Sequence, residues 1–172
     1  KFLLLQNEIP EQVNEQLAKK AQEKDIPVML NAAPFRTLPE KMVPLIDTLV
    51  LNRVEASQFF NQTLTNDTDI RSVLNTATHS INTIIITLGK DGLFYRDGSG
   101  SVHQKSAFPV TTVSSHGAGD MFCGALATRR AAGDTMDDAL GYAMAAAACH
   151  VRTPVADRSS IGPATVYALL AH

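Results

Sequence analysis

The sequence contains no tryptophan, and aromatic residues make up only 6% of its 172 residues. A platform of aromatic side chains for stacking nucleic-acid bases is therefore not expected. The formal net charge is -2, so the chain also lacks the basic surface with which non-specific nucleic-acid-binding proteins contact phosphates. No apolar run approaches the roughly 18 residues that a membrane-spanning helix needs. These absences predict a soluble, cytoplasmic protein without nucleic-acid or membrane partners.

Cysteine is scarce as well. Cys123 and Cys149 are the only two, and they lie far apart in segments with a helical pattern. This distribution favours two buried thiols in a reducing compartment over a disulfide or a metal pair. The histidines show no spacing typical of metal ligands. The nucleotide-binding fingerprints G-x-x-x-x-G-K-S/T and G-x-G-x-x-G are both absent, so neither standard phosphate loop is predicted.

What is present is a regular alternation of strand and helix patterns. Short apolar runs, many of them β-branched, predict strands at 2–6, 26–31, 47–51, 83–88, 93–95, 102–105 and 110–113. Longer segments with helical periodicity predict helices at 10–24, 53–60, 67–78, 120–132, 135–151 and 163–171. The run at 83–88 is apolar on both faces, as in a central parallel strand, and residues 97–100 predict a hairpin turn. The alternation predicts an α/β layered fold with a mostly parallel sheet.

Polar residues and glycines follow several of the predicted strands. In open α/β sheets ligands bind at the carboxyl ends of strands, which draws attention to Glu8, Asn31, Asn52 with Glu55, Gly89 and the segment 114–120. Glu8 is suited to accept hydrogen bonds from sugar hydroxyls, or it is a solvated acid near a helix start. Gly89 would let a ligand approach the backbone closely, or it is simply part of a tight turn.

The segment S-S-H-G-A-G-D at 114–120 follows a predicted strand and opens a predicted helix. Small residues there leave backbone N–H groups uncovered at the positive end of the helix dipole, which suits a phosphate. Asp120 is itself negative, so it fits better as a base that takes a proton from a hydroxyl group attacking a phosphoryl group. An ordinary helix start, with the glycines in a turn and Asp120 favoured by the dipole, explains the same residues.

Asn52 and Glu55 are three residues apart, just after a predicted strand. This spacing places the amide and the carboxylate on one side of a first helical turn. Their oxygens are suited to orienting water around Mg²⁺. The alternative is a capping box, in which Asn52 is the N-cap and Glu55 is the third helical residue.

Taken in order, these segments resemble the C-terminal part of the ribokinase-like carbohydrate kinases, the phosphofructokinase-B superfamily. The family motifs Q-x-E-x-P, N-x-A-P with L-P, N-x-x-E-A, I-T-L-G and G-A-G-D resemble residues 6–10, 31–34 with 38–39, 52–56, 86–89 and 117–120. The first two motifs point to the ribokinase subfamily. The resemblance covers nearly the whole chain and implies a three-layer α/β/α ribokinase-like fold.

The resemblance implies an ATP-dependent kinase that transfers the γ-phosphate of ATP to a sugar hydroxymethyl group, converting ribose to ribose 5-phosphate. Asp120 would contact the sugar and act as the general base. The backbone amides of Gly117, Ala118 and Gly119 would form the anion hole, and Glu8 would hold a sugar hydroxyl. The residues that would bind ATP are Asn52, Glu55, Thr87, Gly89 and Met144, with Glu55 holding Mg²⁺ through water.

The chain also departs from the family pattern. The signature usually begins D-T, where Ser114 and Ser115 stand here. In the family that aspartate helps to bind an activating monovalent cation such as K⁺, and a later loop, K-G-A-x-P-S, reads P-V-A-D-R-S at 154–159. The resemblance therefore leaves Ser114 and Ser159 as doubtful cation ligands. Arg158 would replace the positive charge of the cation.

Other functions stay open at this point. A fructokinase, a ketodeoxygluconate kinase or a nucleoside kinase of the same superfamily is one alternative, and a truncated, non-catalytic nucleotide-binding module is another. The first strands, the lid and most sugar-binding residues of the family have no counterpart in the sequence. We therefore expect residues 1–172 to be the C-terminal nucleotide-binding and catalytic part of a single domain, inactive or weak in isolation. The full-length protein is expected to be a homodimer.

Overall fold

The computed structural model describes residues 1–77 and 80–171. These fall into two compact units, Lys1–Lys105 and Ser106–His172. We call the first the sheet unit and the second the helical unit, after the elements that each contains. In the described part of the chain, no helix is long and apolar enough to cross a membrane.

The sheet unit holds six strands that lie side by side in the order of the sequence. They are β1 (Leu3–Gln6), β2 (Val28–Asn31), β3 (Thr48–Asn52), β4 (Thr83–Thr87), β5 (Leu93–Arg96) and β6 (Val102–Lys105). The first four are mutually parallel, and β5 and β6 are antiparallel to their neighbours. Its helices are α1 (Glu11–Gln22), α2 (Arg53–Phe59) and α3 (Asp67–Thr76). The prediction of a mostly parallel sheet is confirmed.

Strand β4 runs through the core of the sheet unit. Ile84, Ile85 and Ile86 are all 0% exposed, so successive side chains are buried on both faces of the sheet. Ile84 and Ile86 belong to a core cluster that includes Ile70 and Leu74 of α3. The continuous apolar, β-branched run therefore has the burial that the sequence predicted.

The hairpin between β5 and β6 is also where the sequence placed it. Asp97 accepts hydrogen bonds from the amide and hydroxyl of Ser99, at 2.9 and 2.6 Å, and from the amide of Ser101 at 3.1 Å. Its other oxygen lies 2.7 Å from Nε2 of His103. The Ser99 hydroxyl first, and then His103, hold the pKa of Asp97 at about 2, below its ordinary value.

The helical unit consists of α4 (Ala118–Ala132), α5 (Met136–Arg152) and α6 (Pro163–Leu170), with a 3-10 turn at Val155–Ser160. Small residues let these helices approach closely. Ala145 and Ala146 of α5 are at most 2% exposed and form a small core with Val166 of α6. Gly133, with a φ of 98°, ends α4 in the left-handed conformation that glycine adopts without strain.

Apart from one predicted strand, the strands and helices begin and end within two residues of their predicted bounds. The strand predicted at 110–113 is wrong, because this segment is irregular and Val113 is 58% exposed. The amides of Val113 and Ser114 donate instead to the carbonyl of Val151, at 2.8 and 3.1 Å, so the segment is held by a helix end and not by a strand ladder. The helix predicted at 67–78 ends at Thr76, and Thr78 lies outside the described residues.

Candidate active site

The carboxyl ends of the four parallel strands bring several predicted site residues to one edge of the sheet. In the register of the sheet, Gln6 lies beside Asn31, and Asn52 lies beside Thr87. Because parallel strands share their direction, the segments that follow them leave the sheet at this same edge. The sheet thus places Asn52 and Thr87 next to each other, at the carboxyl ends of β3 and β4.

Asn52 and Glu55 form a complete capping box at the start of α2. The Asn52 side chain accepts the Glu55 amide at 2.9 Å, and Oε2 of Glu55 accepts the Asn52 amide at 2.8 Å. Glu55 is only 7% exposed. The prediction of a capping box is therefore confirmed, since both of its hydrogen bonds are present. The same bonds also hold the Glu55 carboxylate in place at the carboxyl ends of the strands.

Thr87 and Gly89 form the end of β4 and the turn after it. Oγ1 of Thr87 lies 3.4 Å from the carbonyl of Leu51 on the neighbouring strand. Gly89 has a φ of 59°, and a Cβ atom built on it would meet nothing within 4 Å. The turn explanation is confirmed, because the backbone at Gly89 has the positive φ that favours glycine. The close approach of a ligand to this open backbone stays a prediction.

Glu8 lies in the turn after β1 and is exposed. Its position is set by its neighbours. The Asn7 amide donates to the carbonyl of Ala33 at 3.1 Å, and Nδ2 of Asn14 donates to the carbonyl of Gln6 at 2.9 Å. The turn that carries Glu8 is therefore tied both to the segment after β2 and to helix α1.

In the helical unit, the segment at residues 114–119, which we call the glycine loop, leads into α4. Gly117 has a φ of 76°, and α4 begins at the next residue. The Ala118 amide donates to the carbonyl of Ser115 at 3.1 Å. Among the described residues, the amides of Gly117 and Gly119 have no hydrogen-bond acceptor. Two N–H donors are thus uncovered at the positive end of a 15-residue helix. The Ala118 amide, in contrast, is already engaged in a turn.

Asp120 lies in the first turn of α4 and is exposed. Its carboxylate follows directly on the two uncovered amides in the sequence. A negative side chain in the first turn is favoured by the helix dipole, which agrees with the explanation of residues 117–120 as an ordinary helix start. An exposed carboxylate beside two amides that lack an acceptor is also the arrangement that a base for a phosphoryl acceptor requires.

Two side chains from beyond α4 contact the glycine loop. Arg158 donates from Nη1 to the carbonyl of His116 at 2.8 Å and from Nη2 to that of Ser114 at 2.9 Å. Nε2 of His150 lies 2.9 Å from the same His116 carbonyl. Arg158 was expected to act near this loop, whereas His150 was not predicted, because nothing in the local pattern at the end of α5 indicates a contact 34 residues away.

The remaining predicted residues are less closely engaged. Met144 is half-buried on α5, and Ser159 is exposed in the 3-10 turn. Oγ of Ser114 accepts the His116 amide at 3.4 Å, a bond within the glycine loop itself. Each unit therefore carries its own group of predicted residues: the strand-end residues in one, the glycine loop and Arg158 in the other.

Comparison with known proteins supports the motif-based resemblance. Residues 2–161 match the pfkB family of carbohydrate kinases. Ribokinase from Bacillus subtilis is 35% identical over 150 residues, covering 87% of this chain and 48% of that protein. The 2-dehydro-3-deoxygalactonokinase of Haloferax volcanii is 32% identical over 133 residues, covering 76% of this chain and 40% of that protein. The chain thus spans about half the length of the curated relatives it matches.

The structure gives the same result. Arabidopsis thaliana ribokinase, solved with ribose and ATP, superposes with a TM-score of 0.89 at 28% identity, covering 99% of this chain and 56% of that one. This likeness confirms the predicted fold class, a three-layer α/β fold of the ribokinase-like type. By both sequence and fold, the chain belongs to the pfkB family of carbohydrate kinases.

Proposed function

We propose that the protein is an ATP-dependent sugar kinase that transfers the γ-phosphoryl group of ATP to the hydroxymethyl group of ribose, forming ribose 5-phosphate and ADP. The observation that carries the proposal is the glycine loop. Two uncovered backbone amides, on Gly117 and Gly119, lie at the start of α4, and the carboxylate of Asp120 follows in the first turn of that helix.

The chemistry needs little covalent participation from the protein. The O–H bond of the sugar hydroxymethyl group breaks as its proton moves to Asp120, while the sugar oxygen bonds to the γ-phosphorus. The bond from that phosphorus to the bridging oxygen breaks, and ADP leaves. Negative charge on the transferring oxygens is stabilised by the amides of Gly117 and Gly119 and by the helix dipole. Ala118 would contribute only after exchanging its bond to Ser115.

The sheet-edge residues would bind the nucleotide. The capping box holds the Glu55 carboxylate by one oxygen, which leaves the other for water around Mg²⁺. The fit is sufficient, because Mg²⁺ bound to nucleotide phosphates keeps several waters and needs few protein ligands. When bound, the ion would neutralise charge on the phosphates. Asn52, Thr87 and Gly89 would contact the phosphates, and Met144 would lie on the adenine side.

Ribose is the proposed acceptor because of Glu8 and the motif around it. A carboxylate suits a neutral sugar, whose hydroxyls donate to it. The galactonate-derived acid that the Haloferax relative is named for would bring its own carboxylate, and two like charges in one site repel. The ribokinases from Bacillus and Arabidopsis support the same choice. We further propose a cytoplasmic location, where both substrates are available, and a homodimer of the full-length protein.

The test is ADP release by the protein that contains this sequence, measured with ribose, fructose, ketodeoxygluconate and nucleosides. We expect ribose to give the highest kcat/KM. Asp120→Asn should lower kcat by on the order of 10²–10⁴-fold, because the variant keeps the shape but loses the base. The matched control is Asp25→Asn, at an exposed position with a φ of 51° that asparagine tolerates.

Retained turnover in Asp120→Asn would remove Asp120 from the mechanism. A higher kcat/KM for another acceptor would replace ribose as the substrate and leave the kinase chemistry in place. Nucleotide binding without ADP release for any acceptor would favour the non-catalytic module.

A further inference from the structure

Arg158 binds three backbone carbonyls at once. Its Nη1 and Nη2 donate to His116 and Ser114, at 2.8 and 2.9 Å, and Nε donates to Thr153 at 3.3 Å. Every nitrogen of the guanidinium group is thus engaged with a carbonyl oxygen. The two shorter bonds reach across 42 and 44 residues of sequence. The side chain therefore ties the glycine loop to the segment that follows α5.

Three carbonyl oxygens around one guanidinium group concentrate partial negative charge, and a cation among them stabilises that arrangement. Arginine suits the role because it stays protonated at any physiological pH and holds its donors in a fixed plane. Hydrogen bonds from an ionised donor are also roughly twice as strong as neutral ones. The chain thus supplies, from its own side chain, the positive charge that this cluster needs.

The consequence reaches the anion hole through one peptide group. The carbonyl of His116 and the amide of Gly117 belong to the same planar unit, and a trans peptide directs its N–H opposite to its C=O. Arg158 and His150 both bond to that carbonyl. A Cβ atom on Gly117 would lie 3.1 Å from Nε2 of His150, so the ring also lies close against the glycine. Fixing the carbonyl fixes the direction of the Gly117 N–H and polarises it further.

We propose that Arg158 is a built-in cation that positions the Gly117 amide, and that this kinase therefore needs no added monovalent cation. The serines assigned to such a cation by resemblance do not fit one, because the guanidinium group already holds the carbonyls of Ser114 and His116. A potassium ion at the same carbonyls would be repelled by Arg158. Arg158 is a positioning residue: it acts on the transferring phosphoryl group through the His116–Gly117 peptide.

The first experiment compares potassium chloride with tetramethylammonium chloride at equal ionic strength. Two readouts are measured on the protein that contains this sequence: its thermal unfolding midpoint, and its rate of ADP release with ribose. We expect both to be unchanged when potassium replaces the larger cation. Potassium that raises the rate severalfold, or that shifts the midpoint by several degrees, would overturn the proposal.

The second experiment separates charge from packing with Arg158→Met and Arg158→Lys. Methionine keeps an apolar stem but no charge, so we expect a midpoint lower by about 5 °C. We also expect kcat to fall about 100-fold through a misdirected Gly117 amide, with KM for ribose nearly unchanged. Lysine keeps the positive charge, so Arg158→Lys should retain most of the unfolding midpoint and most of kcat. The control is Arg152→Met, an exposed arginine at the end of α5.

Potassium should partly restore Arg158→Met, because the methionine leaves the carbonyls open to a cation that carbonyl oxygens bind well. If Arg158→Met and Arg158→Lys lose equal amounts of kcat and of unfolding midpoint, and potassium restores neither, the proposal is overturned. The losses would then come from the packing of the arginine side chain and not from its charge. Unchanged stability and rate in Arg158→Met would overturn it as well. The kinetic readouts rest on the proposed function, whereas the unfolding midpoints do not. If no acceptor is phosphorylated, the role of Arg158 is still decided by stability.

Discussion

The two units position their predicted site residues by different means. In the sheet unit, Asn52 and Thr87 are neighbours because the register of two parallel strands makes them so. In the helical unit, the glycine loop is held by side chains that come from far along the sequence, Arg158 and His150. A site built on a strand ladder tolerates changes in single side chains, whereas a site held by side chains depends on each of them. Substitutions in the two units should therefore differ in how much stability and how much activity they remove.

The largest effect on stability is expected in the core of the sheet unit. Ile84→Ala should reduce the free energy of unfolding by about 2–5 kcal/mol, because the 0% exposed side chain leaves a cavity among packed neighbours. Val166→Ala in the helical unit removes less volume from a smaller core, and about 1.5 kcal/mol is expected. Urea titration measures both, with Val54→Ala, at a 68% exposed residue, as the control. A larger loss of unfolding free energy in Val166→Ala than in Ile84→Ala would contradict the expectation that the sheet unit has the more tightly packed core.

A smaller loss of stability, but a large loss of activity, is expected at Gly117. Alanine there must adopt a φ of 76° and place its Cβ 3.1 Å from His150, at a cost of about 1–3 kcal/mol. The loop would shift, so ADP release should fall with it. Gly119→Ala is the matched variant, since a Cβ there meets nothing within 4 Å. Denaturant titration should separate the two, and equal stability would show that the His150 contact does not constrain the loop.

The smallest effect on stability is expected at the capping boxes of the sheet unit, and it offers the sharpest separation of fold from function. Asn52 with Glu55 opens α2, and Asn66 with Asp69 opens α3 by the same bonds. Glu55→Ala and Asp69→Ala should each cost about 1 kcal/mol, as cap losses do.

Only Glu55→Ala should also lower ADP release and weaken its dependence on magnesium concentration. Magnesium titrations of both variants measure this. Equal magnesium dependence in the two would reduce Glu55 to a cap.

The elements that the sequence predicted well are those whose pattern is local. The run at 83–88 is continuously apolar and β-branched, and β4 is buried as that pattern requires. Asn52 and Glu55 carry the capping box within four residues, so the spacing alone contained its geometry. The segment G-A-G-D at 117–120 was recognisable because a helix start with small residues is itself a local arrangement.

The predictions that failed or fell short depend on distant partners. Residues 110–113 have the composition of a strand, but Val113 bonds to Val151 at the end of α5 and not to a strand. The contact of His150 with the glycine loop could not be predicted, since a histidine on a helix of alanines shows no local sign of its acceptor. The Ala118 amide was expected in the anion hole, and its turn bond to Ser115 became visible only with the backbone in place.

The order of the sheet has a consequence for how the protein is made. Every strand from β2 onward lies beside the strand that precedes it in the sequence, so each new strand meets a partner that has already left the ribosome. The sheet can therefore grow one neighbour at a time during synthesis, with short closures between pairings. The glycine loop is translated after the sheet, and Arg158 follows His116 of that loop by 42 residues. The strand-end residues of the sheet unit are therefore made before Arg158, and the bond from Arg158 to the His116 carbonyl can form only after the six strands of the sheet have been synthesised.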